Sequence, residues 1–342
     1  MPQAHDGSVL APLGWDERVR ALLGDEPSTV PGRVVRVDMD SCQVATSQGD
    51  TRARSRAPVA VGDWVRVHLD DSSTVSAIAP RWSQVARRDP TGLTQVLAAN
   101  VDVVLVAVPA DRMSIARVER EVAIGWDSGA QPVVLLTKSD LDTGDAARQL
   151  TDRLVGVDVI CVSSVTGEGS DDVTRLLHPA RTGVLLGPSG AGKSTLTNLL
   201  AGREVAATGA VREGDRRGRH VTSARELQVL PSGGVLIDTP GLRSLSLAED
   251  HGGVAAAFPD IEELGTQCRF RDCAHDQEPG CAVVAAQEAG TLDADRLANY
   301  RKLRRELDFQ LRRDDPVAAK EARAVWKQRA KASRQLFKER GH

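Results

Sequence analysis

Residues Gly187 to Thr195 read GPSGAGKST, and this stretch decides the fold. It matches G-x-x-x-x-G-K-[ST], with Gly187, Gly192, Lys193 and Ser194 in register. The apolar run Gly183–Leu186 enters it as a strand would, and a helix-like run, Ser194–Leu200, leaves it. Each residue type has a physical task there. Glycines let backbone N–H groups turn inward onto phosphate oxygens. The helix N-terminus adds partial positive charge. Lys193 can reach the β- and γ-phosphates, and the Ser194 hydroxyl can bind Mg²⁺. The whole loop, with Pro188, Ser189, Gly190 and Ala191 between its glycines and Thr195 at its end, reads as a phosphate cradle. The plain alternative is a glycine-rich turn with an incidental lysine, and the match of every position and both flanks weighs against it.

Working upstream, VDVVLVAVPA (Val101–Ala110) is apolar almost throughout, as a strand covered on both faces should be. A helix is expected over Ile115–Ser128, then a buried strand in PVVLLTKSD (Pro132–Asp140). A second helix follows around Asp145–Leu154, then VDVICVSSVTGEG (Val157–Gly169) and a further helix. Strands alternating with helices at this spacing predict a doubly wound α/β domain. Ligands in such folds sit at the carboxyl ends of the strands. Downstream, Gly202–His220 is rich in Gly and Arg and reads as a loop. Arg225–Leu230 and Gly234–Ile237 read as strands, the second ending in DTPG, Asp238–Gly241.

The N-terminal region has a different rhythm. Residues 1–30 are punctuated by Pro and Gly, with one short helix expected around Trp15–Leu23, and read as a loosely ordered lead-in. From Pro31 to Pro80 the period is two. Strands are expected at Arg33–Val37, Gln43–Thr46, Thr51–Arg56, Asp63–Leu69 and Val75–Ala79, which suits a small closed barrel of the oligonucleotide-binding type. Arg52, Arg54 and Arg56 alternate along the third strand and would share one face. That face contacts phosphate or is simply solvated. Ser83–Ala99 reads as a connector.

The composition sets limits. A chain of 342 residues holds two or three domains, and its formal charge of −3 shows no global pull towards nucleic acid. No apolar run is long enough to span a membrane. The N-terminal stretch lacks the pattern of a secretory leader, so a cytoplasmic protein is expected. Few aromatics argue against a base-stacking platform as the main activity. Cys268–Val283 reads CRFRDCAHDQEPGCAV. Cys268, Cys273, His275 and Cys281 form a three-thiolate, one-imidazole set, which suits a closed structural zinc site rather than disulfides. Free buried cysteines are the alternative. The tail Arg296–His342 carries about fifteen Lys and Arg against about six Asp and Glu. Leu297, Tyr300, Leu303, Leu307 and Leu311 make a helical stripe in it. Its basic face is read as binding RNA backbone, or else as a solvated helix surface.

Four motifs fall on strand ends: TKSD (Thr137–Asp140), SSVTGEG (Ser163–Gly169), GPSGAGKST and DTPG. Together they resemble the signature set of translation-factor-like GTPases. The resemblance implies that Asp140 takes two hydrogen bonds from a guanine edge, which adenine cannot offer. Thr137 and Lys138 belong to the same motif, with Lys138 along the base. Ser163 and Ser164 belong to the next, with Ser164 offering its N–H to the guanine carbonyl. Asp238 would hold Mg²⁺ through water, and Gly241 would offer its N–H to the γ-phosphate. TKSD and SSV precede the phosphate loop here, so the domain reads as circularly permuted. Leu242 stands where Ras-like enzymes place a water-orienting Gln, and an apolar side chain cannot do that work. His220, in GRHVTS, is the candidate water-positioning group, with Thr222 closing on Mg²⁺.

Barrel, permuted order, GRH-x-T-x, DTPG and the cysteine spacing together resemble the RsgA (YjeQ) family, over about residues 30–310. Thr137, Val221 and Ser223 depart from its pattern. The resemblance implies a GTPase that uses Mg²⁺ and one structural Zn²⁺. It would act late in small ribosomal subunit maturation, bind rRNA through the barrel and zinc domain, and be released by subunit-stimulated hydrolysis. A monomer without membrane attachment is expected. The expected domains are 1–30, 31–82 (barrel), 83–248 (permuted GTPase) and 249–342 (α-helical zinc-binding domain with basic tail). Two other readings stand beside this one. A small-molecule kinase would need an adenine site, which TKSD opposes. A nucleotide-gated RNA-binding scaffold with negligible hydrolysis is left open by Thr137 and Leu242.

Overall fold

The computed structural model describes residues 7–88, 93–205, 225–238 and 252–314. These divide into two compact units, the first running to residue 260 and the second beginning at residue 261.

The first unit carries the barrel and the α/β sheet. Strands β1 (Val30–Val37), β2 (Cys42–Thr46), β3 (Gly49–Ala53), β4 (Trp64–His68) and β5 (Thr74–Ile78) follow the period-two pattern. β1 pairs antiparallel with β2 and β4, β2 with β3, and β4 with β5. Arg54, just past β3, pairs in parallel with Thr74 and closes the ring in the order β1-β2-β3-β5-β4. Val34, Cys42, Val44, Val65 and Val67 fill its core. The third strand stops at Ala53 rather than Arg56, because closure diverts the chain at Arg54. Only Arg52 of the three arginines therefore lies on the strand. All three are exposed, and Arg52 Nε donates to Ser41 Oγ at 2.7 Å.

Two further expectations change. The helix expected around Trp15–Leu23 is present as α1 (Glu17–Leu23), and ahead of it Gly7–Leu13, part of the lead-in read as loosely ordered, forms a 3₁₀ helix. Leu10 and Val19 are buried with Trp64, so barrel packing orders a segment whose own pattern is sparse. The connector Ser83–Ala99 is instead a strand pair, β6 (Gln84–Arg88) with β7 (Thr94–Ala99). Arg33 explains how these parts hold together. It is 1% exposed, lies 5.1 Å over the Trp64 ring, and donates to the carbonyls of Leu13, Gly62 (3.3 Å) and Asn100 (3.2 Å). Burial pulls its pKa down to about 10, yet the three carbonyls satisfy a group that would otherwise be costly to desolvate.

The α/β part contains β8 (Val103–Pro109), α2 (Ile115–Asp127), β9 (Gln131–Thr137), α3 (Asp145–Arg153), β10 (Val159–Val162), α4 (Ser170–Leu176), β11 (Thr182–Leu186), α5 (Lys193–Ala201), β12 (Glu226–Val229) and β13 (Val235–Asp238). A short helix α6 (Gly253–Ala257) packs on α2. The sheet runs β10-β9-β8-β11-β13-β12 and continues through β1 into the barrel. The first five strands are parallel and β12 is antiparallel to β13. All seven residues of β8 are buried, as its unbroken apolar run requires. Among the described residues, the sheet pairs with the barrel at Arg36–Glu226, and Glu226 faces Asp238 across the next strand.

The second unit is helical, with α8 (Ala282–Glu288), α9 (Ala294–Asp314) and most of α7 (Pro259–Gly265). Leu297, Tyr300, Leu303 and Leu307 are buried along α9, as the stripe predicted, while Leu311 is 37% exposed.

Candidate nucleotide site and candidate metal centre

The strand register brings the motifs to one edge. Pro109 pairs with Thr137, and Thr137 pairs with Val162, so Lys138 and Ser163 both begin loops at the carboxyl ends of their strands. Leu186 ends β11 beside Val106, and Val184 pairs with Ile237, so the phosphate loop and Asp238 emerge at the same edge.

The phosphate loop needs its glycines. Gly187 has φ +133°, and a Cβ there would meet Ala107 O at 2.4 Å, so no side chain fits against β8. Gly192, at φ +79°, starts α5 in the left-handed region. Lys193 curls back over the loop, its Nζ donating to Gly187 O and Pro188 O at 2.8 Å each. Ala191 is fully buried, Ser194 is half-buried and Ser189 and Thr195 are exposed.

The TKSD segment is tied to this loop. Thr137 is buried, and its Oγ1 lies 2.8 Å from Ala191 O and 3.2 Å from Val108 O. A hydroxyl has one proton, so the nearer Ala191 carbonyl receives the bond. Thr137 thereby links the end of β9 to the phosphate loop. Asp140 is exposed, and one of its oxygens accepts from Ser163 Oγ at 2.6 Å. Ser163 Oγ in turn accepts from the N–H groups of Val165 and Thr166 at 3.2 Å. The loop after β10 is thus folded around the Ser163 side chain, with half-buried Ser164 next in line. Lys138 has φ +57°, and its Nζ is 2.9 Å from Asp111 Oδ2. This hydrogen bond holds the Asp111 carboxyl below its ordinary pKa. Asp111 and Glu168, which accepts from Ser139 Oγ at 3.0 Å, were missed in the sequence. The Ala-Asp-Arg that ends the long apolar run was the available signal for Asp111.

Asp238 ends β13, half-buried. His220, Thr222 and Gly241 lie outside the described residues.

In the second unit, the ligand atoms of Cys268, Cys273, His275 and Cys281 all lie within 4.8 Å of one another. Cys268 Sγ and Cys281 Sγ are 3.8 Å apart, and each is 3.5 Å from His275 Nδ1. A tetrahedron with ordinary zinc–sulfur and zinc–nitrogen bonds has edges of about 3.8 Å (S···S) and about 3.6 Å (S···N). These three edges fit a metal ion of that kind. Burial lowers the His275 pKa, which favours the neutral imidazole a metal needs. Gly265 gives the ring room: a Cβ there would stand 3.3 Å from it. Arg301 on α9 donates to His275 O, and Val284 N donates to Cys281 Sγ at 3.4 Å. Glu278, also missed in the sequence, accepts from the N–H groups of Ala274 (2.9 Å), Asp276 (2.8 Å) and Gln277 (3.2 Å). Those bonds pull its pKa down to about 2.

Comparison with known proteins agrees with this geometry. A family model described as RsgA GTPase matches residues 78–248. The small ribosomal subunit biogenesis GTPase RsgA of Streptomyces avermitilis is 44% identical over 340 residues, covering 94% of this chain and 91% of its own. Its counterpart in Streptomyces coelicolor is 42% identical, covering 94% and 93%. Among solved structures, YjeQ from Thermotoga maritima superposes with a TM-score of 0.60 over 82% of this chain and 98% of its own, and its 24% identity speaks for the fold alone. YloQ, a circularly permuted GTPase, superposes with a TM-score of 0.58 at 25% identity, over 84% and 98%. With relatives above 40% identity along nearly its whole length, the chain belongs to the RsgA GTPase family.

Proposed function

We propose that this chain binds GTP with Mg²⁺ at the strand-end site and hydrolyses it during maturation of the small ribosomal subunit, the process for which its relatives are named. The observation that carries this reading is the join between two loops far apart in sequence. Thr137 reaches the phosphate loop at Ala191, while Ser163 steadies Asp140 beside it. The arrangement suits one ligand with a base at one end and phosphates at the other.

In this reading Asp140 accepts two hydrogen bonds from guanine, Ser164 offers its N–H to the base carbonyl, and Lys138 lies along the ring. Gly187 to Thr195 cradle the phosphates with Lys193. Ser194, Thr222 and Asp238 manage Mg²⁺, and Gly241 meets the γ-phosphate. His220 positions the attacking water, since Leu242 has no polar group for that task. One Zn²⁺ in the Cys268, Cys273, His275 and Cys281 set orders the second unit, and its binding free energy acts as folding free energy there. The barrel and basic tail contact rRNA, and the protein acts as a cytoplasmic monomer. No helix among the described residues is long and apolar enough to cross a membrane.

The test is steady-state hydrolysis of GTP and ATP with and without purified small subunits. The expected result is slow turnover alone and strong stimulation for GTP only. Equal, unstimulated rates for both nucleotides would refute the proposal. His220→Ala should sharply lower stimulated turnover, and unchanged stimulated turnover would remove His220 from the water-positioning role; negligible GTP hydrolysis by the wild type even with small subunits would favour the scaffold.

A further inference from the structure

A short 3₁₀ turn, Ala110–Arg112, follows β8 and touches both halves of the candidate nucleotide site. Asp111 binds Lys138 of the base-reading segment at 2.9 Å. Arg112 reaches the other way. Its Nη2 stands 2.9 Å from the point where a Cβ on Gly190 would lie, in the middle of the phosphate loop. Arg112 belongs to none of the four strand-end motifs.

The charges around it are unevenly shared. Asp111 Oδ2 is 2.9 Å from Lys138 Nζ but 3.9 Å from Arg112 Nε. The carboxylate is therefore engaged mainly by the lysine. The Arg112 side chain is 63% exposed, so it pays little desolvation where it stands. Lys193, the other cation of the loop, points at the carbonyls of Gly187 and Pro188, at the start of the loop rather than at Gly190. A guanidinium offers a planar fork of donors suited to phosphate oxygens, which an ammonium does not. At Gly190 nothing but hydrogen projects from the loop, so the fork can lie directly against it.

We propose that Arg112 is a further nucleotide-contacting residue, binding a phosphate of the nucleotide from its place against Gly190, with Asp111 as the positioning residue that holds Lys138 away from it. This deepens the nucleotide-site reading above and rests on it. The Asp111–Lys138 pair and the Arg112 fork then divide the work: one cation is committed to the base end, the other to the phosphates.

The experiment titrates the full chain with GTP, GDP and guanosine, and the wild type also with ATP. Arg112→Ala weakens GTP and GDP about tenfold, the worth of one charge-assisted hydrogen bond, and leaves guanosine binding unchanged. Arg112→Lys recovers only part of the loss. Asp111→Asn frees Lys138 and weakens guanosine as well as GTP. Thermal midpoints of the unliganded variants guard against misfolding, and the exposed Arg112 sites should keep that of the wild type. Wild-type affinity for GTP in Arg112→Ala, or an equal loss for guanosine, overturns the proposal. A wild-type chain that binds ATP as well as GTP overturns the site reading beneath it, whatever the Arg112 variants do.

Discussion

Thr137→Val isolates one hydrogen bond. Valine has nearly the shape of threonine, so the change removes the hydroxyl without opening a cavity. The bond lost is the 2.8 Å contact from Oγ1 to Ala191 O, between a residue 5% exposed and one fully buried. A typical buried bond contributes about 1 kcal/mol net, rising to about 2 kcal/mol or more where its carbonyl finds no substitute partner. Where this loss appears depends on the loop. If the free loop relaxes without the Thr137 tie, only the bound state must restore the geometry, and GTP and GDP affinity falls about fivefold to thirtyfold. If neighbours hold the loop in place, the same energy appears as lower stability with affinity unchanged. Urea unfolding of the free chain and nucleotide titration together read both arms. Thr137→Ser is the control: it keeps the hydroxyl, loses one buried methyl at about 0.8 kcal/mol, and should keep its affinity. Unchanged stability and unchanged affinity in Thr137→Val would refute the claim that this hydroxyl ties the two loops together.

Three other outcomes are expected. Glu278 has its pKa depressed to about 2 in the folded chain, so its stabilising effect is full above the ordinary carboxylate range and fades as pH falls through that range towards 2. Acid titration of bound metal should therefore show release beginning at higher pH in Glu278→Gln than in the wild type, and identical release curves would contradict the role given to this carboxylate. Cys273→Ser removes one of the four ligands; elemental analysis should find substoichiometric zinc, and circular dichroism a loss of helix confined to the second unit. Glu226→Pro disturbs the strand through which the α/β sheet pairs with the barrel; unstimulated GTP turnover should change less than subunit-stimulated turnover, and a parallel fall in both would mean that the joint carries only stability.

The legible parts of this chain were those whose signal is local. The phosphate loop announced itself by spacing, β8 by an unbroken apolar run, and the barrel strands by alternation. The residues of the candidate metal centre stood within fourteen residues of each other. What stayed hidden depends on distant partners. Arg33 sits in a strand and looks like a surface charge, yet carbonyls 20, 29 and 67 residues away capture it. Leu10 and Val19 give no periodic pattern, and Trp64 buries them. The β6–β7 pair carries arginines at one strand's end, which resembles a polar connector until Val85 and Leu97 are seen to be buried. At the nucleotide site, the motifs named Asp140 and Thr137, but the partners that aim them, Ser163 Oγ and Ala191 O, follow only from the strand register.

The sheet order gives the permutation a mechanical meaning. The TKSD and SSVTGEG loops, proposed above to read the base, emerge from β9 and β10, at the edge away from the barrel. Asp238 emerges from β13, and a continuous row of paired residues runs from it through Glu226 on β12 and Arg36 on β1 to Gln43 on β2 and Arg52 on β3. Backbone pairs hold each step, so a shift of β13 must move β12 or break its pairing. β12 begins just after GRHVTS and β13 ends at the Asp of DTPG, the two motifs proposed above to meet the metal and the γ-phosphate. On that proposal the barrel is placed to respond to the metal and phosphate end of the ligand, where Asp238 on β13 stands four strands from β10. On the proposed assignment, nucleotide identity is read at one end of the sheet and nucleotide state at the other. The barrel stands next to the strands proposed to sense that state, where a barrel that binds rRNA and then lets go would need to be.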